Sequence, residues 1–179
     1  MATPEQVQEL KEKMRAERGK LLGALEALGE DEAERSTSGE GAWSAKQQMA
    51  HLCEMESAYR AWVQKALDED GAAVDGVFGE RPAIPLEQAN EHTAAAHIAE
   101  MRRQRSETTA MIDAMRPADF DRTASNKIFG SLTVMQWLRS YYRHDRMHYD
   151  QVRGEEPTYK PQYAGGKEPD QRRGQRIGG

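Results

Sequence analysis

His144 and His148 stand four residues apart in the stretch Tyr141-Tyr142-Arg143-His144-Asp145-Arg146-Met147-His148-Tyr149-Asp150-Gln151-Val152. A helix turns about 100° per residue, so side chains four apart stack on one face and two imidazoles can aim at one point. Two nitrogens do not close a metal shell. The best candidate for a third is His51, in Trp43-Ser44-Ala45-Lys46-Gln47-Gln48-Met49-Ala50-His51-Leu52. Three imidazoles with a fourth position open make a catalytic rather than a structural divalent-metal site. Gln151 continues the row three residues beyond His148. Ligation needs neutral rings, and each spare ring nitrogen needs an acceptor that fixes its tautomer. The plain alternative is a pair of histidines on a helix surface with no ligand role.

Other residues bear on the same chemistry. Glu54 follows His51 by about one helical turn and could serve as a general base beside a metal-bound water, or be a solvated surface glutamate. Asp145 falls near the centre of the apolar face of its helix, where an unpaired carboxylate is costly. It therefore needs a partner, either a ligand histidine, a helix start, or an arginine such as Arg105. Arg105 itself interrupts an apolar stripe. It could receive a substrate carboxylate in the bundle mouth, or bury its stem and reach for water. His97 faces inward, as a pocket wall or a hydrogen-bonded core histidine, and His92 faces outward. Cys53 projects about 200° from His51 and takes no role. Tyr141 and Tyr142 fit a core or pocket wall with one end needing a hydrogen bond.

The elements that must carry these residues are helices. Thr3-Pro4-Glu5-Gln6 is a capping-box pattern with proline in the first turn, and Val7, Leu10, Met14, Leu21, Leu25 and Leu28 follow at helical spacing, up to Gly29. Glu30 to Gly41 reads as an exposed loop. Ser44-Ala45-Lys46-Gln47 opens a second helix that ends near Leu67 or Asp68. A third runs from Leu86 to Met115, stopped by Pro117. Thr133-Val134-Met135-Gln136 opens the fourth, ending near Arg153-Gly154. The spacing predicts an all-α four-helix bundle over residues 1–153, with an extended piece at Lys127-Ile128-Phe129 between helices three and four. Residues 154–179, rich in glycine, proline and charge, form a poorly structured tail. The link from Asp70 to Pro85 exceeds the ~2–8 residues that join antiparallel neighbours, so a crossover separates helices two and three.

Composition narrows the function. With 179 residues the chain can bury one real core, and a formal charge of −5 argues against bulk binding of nucleic acid. No apolar run reaches the ~18 residues of a membrane span, and the N-terminus has no signal-peptide pattern. A single cysteine fits a reducing cytoplasm. There is no His-Glu-x-x-His of zinc proteases, no Glu-x-x-His of di-iron bundles, no phosphate loop and no nucleophile elbow.

Trp43-Ser44 followed by His51-Leu52, and then His144-Asp145-x-x-His148-x-x-Gln151, resembles the DinB superfamily from residue ~5 to ~153. The resemblance implies a four-helix bundle with a long crossover. It also implies a divalent metal, zinc or nickel, on His51, His144 and His148, and assembly as a homodimer. Some relatives are S-transferases or isomerases that use a low-molecular-weight thiol. The expectation is thus a cytoplasmic metalloenzyme that activates water or a thiol towards a small electrophilic substrate, with Glu54 or Asp145 moving the proton. The alternatives are a bundle whose metal serves folding or a dimer interface, and a protein that sequesters a small molecule without turnover.

Overall fold

Capping side chains mark where this chain begins its helices. Thr3, Ser44 and Thr133 each accept the backbone N–H three residues on, while Gln6, Gln47 and Gln136 reach back to the cap's own N–H. Each box satisfies two donors that a helix start leaves unpaired. The computed structural model describes residues 1–35 and 42–159. Its helices are α1 (Pro4–Glu26), the single turn α2 (Glu30–Ala33), α3 (Ala45–Asp68), α4 (Ala94–Ala114) and α5 (Val134–Val152).

The directions of the long helices follow from their cross-contacts. Between α3 and α4 the partners rise together: Ser44 with Asn90 just before α4, Glu56 with Arg105, Arg60 with Glu107. These two helices are parallel. Between α3 and α5 the partners run in opposite senses, from Gln48–His148 to Tyr59–Tyr141 and Trp62–Trp137. Arg18 meets Met101 and Lys11 meets Asp113, so α1 opposes α4. The bundle is up-down-down-up. Two neighbouring parallel helices cannot be joined by a hairpin, and the chain from Glu69 to Thr93 runs back along the bundle to do it. That is the crossover expected from the length of the link.

Three parts of the chain differ from expectation. The segment at 30–35 is exposed as expected except at Ala33, but it is a helical turn rather than a loop and is anchored: Ala33 is fully buried, and the Glu30 carboxylate accepts the Ala94 N–H (3.0 Å). A carboxylate there favours the positive end of α4. Residues 36–41 lie outside the described residues. The third helix does not start at Leu86; a 3-10 turn, Leu86–Glu91, comes first, and Thr93 then caps α4 by accepting from Ala96. A small sheet is also present. β1 (Ala72–Ala73) pairs in parallel with β2 (Thr123–Asn126), which pairs antiparallel with β3 (Gly130–Thr133). Lys127-Ile128-Phe129 is the turn between strands, not a strand. Asn126 Oδ1 accepts from the Ile128 N–H (2.8 Å), and Gly130, where the chain re-enters the sheet, takes φ +78°, a conformation glycine adopts without strain. β3 runs straight into the Thr133 cap, so this hairpin fixes where α5 begins.

Two apolar clusters fill the bundle. One, at the sheet end, gathers Tyr59, Val63, Phe120, Leu132, Trp137 and Tyr141; the other holds Leu21, Leu25, Met49, Leu52, Ile98 and Met101. Of the tail, residues 154–159 are described: Thr158 donates both its N–H and its hydroxyl to Asp150 Oδ2 (2.8 and 2.9 Å). The expectation for 160–179 lies outside the described residues. No helix among the described residues is long and apolar enough to cross a membrane.

Candidate metal centre

The Ser44 cap sets the phase of α3, which places His51 in its second turn facing α5. α5 presents His144 and His148 to the same point. One ligand atom from each of the three rings lies within 4.8 Å of the others. His144 Nε2 and His148 Nε2 are 3.1 Å apart. Two nitrogens on one tetrahedral zinc, each at ~2.0–2.1 Å, stand about 3.3 Å apart, so this pair is already close to a shared-ligand spacing. His51 completes the group with its ring centroid 5.1 Å from His144 and 5.5 Å from His148, and the Trp43 ring lies tilted beside it at 4.9 Å.

Burial sets the charge state of the cluster. His51 is 8 % exposed, His144 2 % and His148 0 %. Desolvation lowers His51 to about 4 and drives both His144 and His148 well below the ordinary histidine range, with mutual repulsion adding to it. All three rings are therefore neutral and offer lone pairs. His51 Nε2 is buried and has no hydrogen-bond partner among the described residues. An orphaned imidazole nitrogen beside two others that face each other is what a three-histidine cation site needs, and the donor set fits a borderline divalent ion.

Next to the histidines lies a layer of four charges, one from each long helix. Arg18 of α1 donates to Asp145 of α5 (2.8 and 3.1 Å) and to Glu56 of α3 (2.6 Å). Arg105 of α4 donates to Glu56 (2.7 Å) and Asp145 (2.8 Å). Arg18 also reaches the Met101 carbonyl and Arg105 the Met14 carbonyl, both at 2.8 Å, and Thr108 donates to Glu56 (2.8 Å). Burial alone would raise the Glu56 carboxyl, but Arg105 and Arg18 hold it down at about 2. The layer divides the two apolar clusters. A void of about 10 Å³, room for about one water, joins it to His144 past the Tyr141 hydroxyl, which has no hydrogen-bond partner among the described residues.

The expected site residues separate into two groups. His51, His144 and His148 converge. Glu54 is exposed and is not part of the histidine group. Asp145 has both oxygens committed to arginines. The Arg105 guanidinium is spent on Glu56, Asp145 and a carbonyl, and its edge lines a groove of about 770 Å³ between α1 and α4, not the region of the histidines. His97 is a core histidine, with Nε2 on the Ala89 carbonyl at 2.8 Å. Cys53 is buried, and burial pushes its thiol up to about 12, which suits a residue without a role. Three participants escaped the sequence reading: Arg18, Glu56 and Gln48. Arg18 and Glu56 had a visible signal, since each occupies a core position of its helix, between Met14 and Leu21 and between Leu52 and Tyr59.

An up-down-down-up four-helix bundle in which three buried histidines converge from two antiparallel helices, close enough to hold a metal ion, is the class of protein that the fold and the site define. The family model described as the DinB superfamily matches residues 5–152, and the chain belongs to that superfamily. The Bacillus subtilis (strain 168) protein YuaE, itself uncharacterized, is 27 % identical over 146 residues, covering 72 % of this chain and 86 % of that one. Among solved structures, Bacillus subtilis YfiT, a probable metal-dependent hydrolase with an unusual four-helix bundle topology, superposes with a TM-score of 0.68 at 17 % identity, covering 86 % of this chain and 87 % of that one. A mycothiol-dependent maleylpyruvate isomerase superposes with a TM-score of 0.66 at 10 % identity, covering 82 % of this chain and 60 % of that one. At these identities the two superpositions establish the fold.

Proposed function

We propose that the chain is a metalloenzyme in which His51, His144 and His148 hold one divalent cation, zinc or nickel, for chemistry on a small electrophile. The observation that carries this reading is the convergence of three buried, neutral imidazoles, one of which ends in a nitrogen without a partner among the described residues. A cation held there would lower the pKa of a water or a thiol and supply a nucleophile near neutral pH. The residues of the chain orient the three rings, wall one side with Trp43 and keep the rings neutral by burial.

A low-molecular-weight thiol is favoured over water because its own pKa of ~8.5 already lies close to neutral, so a cation there would have to lower it far less than it would a water. Asp145 is held by two arginines, which leaves Glu54 as the carboxylate to test in proton transfer. Thiol transfer or thiol-dependent isomerisation is therefore the preferred reaction class. The committed carboxylates also favour a second reading, in which the bundle binds a metal or sequesters a small molecule without turnover.

The test is metal content in protein purified without a metal-affinity tag. One equivalent of zinc or nickel is expected in the native protein. His148→Ala should lose it while keeping its helical circular dichroism, and stoichiometric metal in that variant would contradict the proposal. Product analysis with a panel of thiols and electrophiles separates turnover from sequestration.

A further inference from the structure

We infer that Gln48 is a positioning residue for the metal centre: its carboxamide oxygen dictates which nitrogen of His148 carries the proton and so turns the other, bare, towards the cation. This rests on the reading of the three histidines as a metal site. His148 is fully buried, Gln48 is 1 % exposed, and His148 Nδ1 lies 2.9 Å from Gln48 Oε1. A neutral imidazole has one N–H. With the proton on Nδ1, the ring donates to the Gln48 oxygen, and Nε2 presents its lone pair to the point shared with His144 Nε2 at 3.1 Å. With the proton on Nε2, the ring donates to His144 Nε2, no lone pair is left for the cation, and Nδ1 faces the Gln48 oxygen acceptor to acceptor in a dry interior. A buried acceptor left unpaired is costly, so the first tautomer is held.

The placement of Gln48 strengthens the argument. It precedes His51 by three residues on α3, so both side chains point from one face of that helix towards α5. The register of α3 against α5 therefore delivers the third ligand and the acceptor for another ligand together. The adjacent Gln47 does different work, closing the capping box on Ser44. Gln151, one turn beyond His148, has its buried Oε1 without a hydrogen-bond partner among the described residues. That leaves the proton of His148 Nδ1 to Gln48.

Two measurements test this. The first is the ring tautomer of His148 in the wild-type protein, read from long-range 1H–15N correlations without added metal and with zinc. Nδ1 protonated and Nε2 bare is expected in both; a proton on Nε2 in the metal-free protein overturns the inference without any variant. The second is zinc affinity at fixed pH by competition with a chromophoric chelator. Gln48→Leu should bind about 10–100-fold more weakly. Gln48→Glu, which keeps an oxygen acceptor in place, should return most of that affinity. Equal affinity in Gln48→Leu and wild type, or weakening in Gln48→Glu as deep as in Gln48→Leu, rejects the role. A wild type that binds neither zinc nor nickel defeats the metal reading instead, while the tautomer spectrum still reports on Gln48.

Discussion

Replacing Asp145 with asparagine keeps the shape of a side chain that is 0 % exposed and removes one of the two anions in the four-charge layer. Arg18 and Arg105 then share Glu56 alone, and the interior carries one uncompensated positive charge. Asparagine also turns one acceptor into an NH2 group aimed at guanidinium donors, since both carboxylate oxygens of Asp145 accept from arginine. Breaking a buried ion pair from one side costs about 3–5 kcal/mol. A domain of this size is stable by roughly 5–15 kcal/mol, and its Tm falls roughly 2–4 °C per kcal/mol, so Asp145→Asn should melt roughly 6–20 °C lower. Urea unfolding followed by circular dichroism should report the same loss with an unchanged m-value. The control is the double variant with Arg18→Met, which leaves the neutral Arg105–Glu56 pair. It should be more stable than the sum of the single effects by about 1–3 kcal/mol. A single-variant loss below ~1 kcal/mol, or strict additivity in the double, would refute the idea that these charges act as one unit.

Two other outcomes follow from neighbouring features. Glu56 has its carboxyl lowered from 4.5 to about 2, so its ion pairs stabilise the fold fully above the unfolded pKa and are lost as pH falls through about 2. Between pH 6 and 2 the wild type should lose about 3 kcal/mol more than Glu56→Gln does, measured by urea titrations at each pH; parallel curves would count against it. Gly79 lets the crossover touch α3, where an added Cβ would stand 2.2 Å from Ser57 Oγ and 2.6 Å from the Ala58 nitrogen. Gly79→Ala should therefore cost about 1–3 kcal/mol and open the crossover to limited proteolysis, and unchanged protease resistance would contradict the close fit.

Helix starts were legible in the sequence because capping is local: Thr3, Ser44 and Thr133 each declare themselves within four residues. The His144–His148 pair was legible for the same reason, and the length of the link after Asp70 announced the crossover. What escaped depends on distant chain segments. The strands are two to four residues long, too short for an alternating pattern, and β1 exists only because Ala72 meets Ala124. Glu30 looks like a loop residue until α4 is present to be capped by it. Gln48 is one of two adjacent glutamines; the capping box accounts for Gln47, but nothing local says that Gln48 meets a ring 100 residues away. Asp145 and Arg105 each stand out as charges on apolar faces, and their pairing is one of the readings the sequence allows. Arg18 and Glu56 occupy core positions of their helices in the same way, and only the packed bundle shows that they are the partners Asp145 and Arg105 require.

The charge layer explains why the histidines converge. As a source of stability a buried quartet of charges is a weak choice, since hydrophobic residues of similar volume often do as well or better. Its consequence here is alignment. Each long helix contributes one charged side chain, so sliding any helix by one turn, about 5.4 Å, withdraws its charge from its partners in the layer. Asp145 directly follows His144, and Glu56 lies five residues after His51 on the same helix. The register that pairs Asp145 and Glu56 with the two arginines is thus the register that brings His144 and His148 opposite His51. An apolar layer at the same height would tolerate a slipped α5 far better, and the three ring nitrogens would then no longer meet.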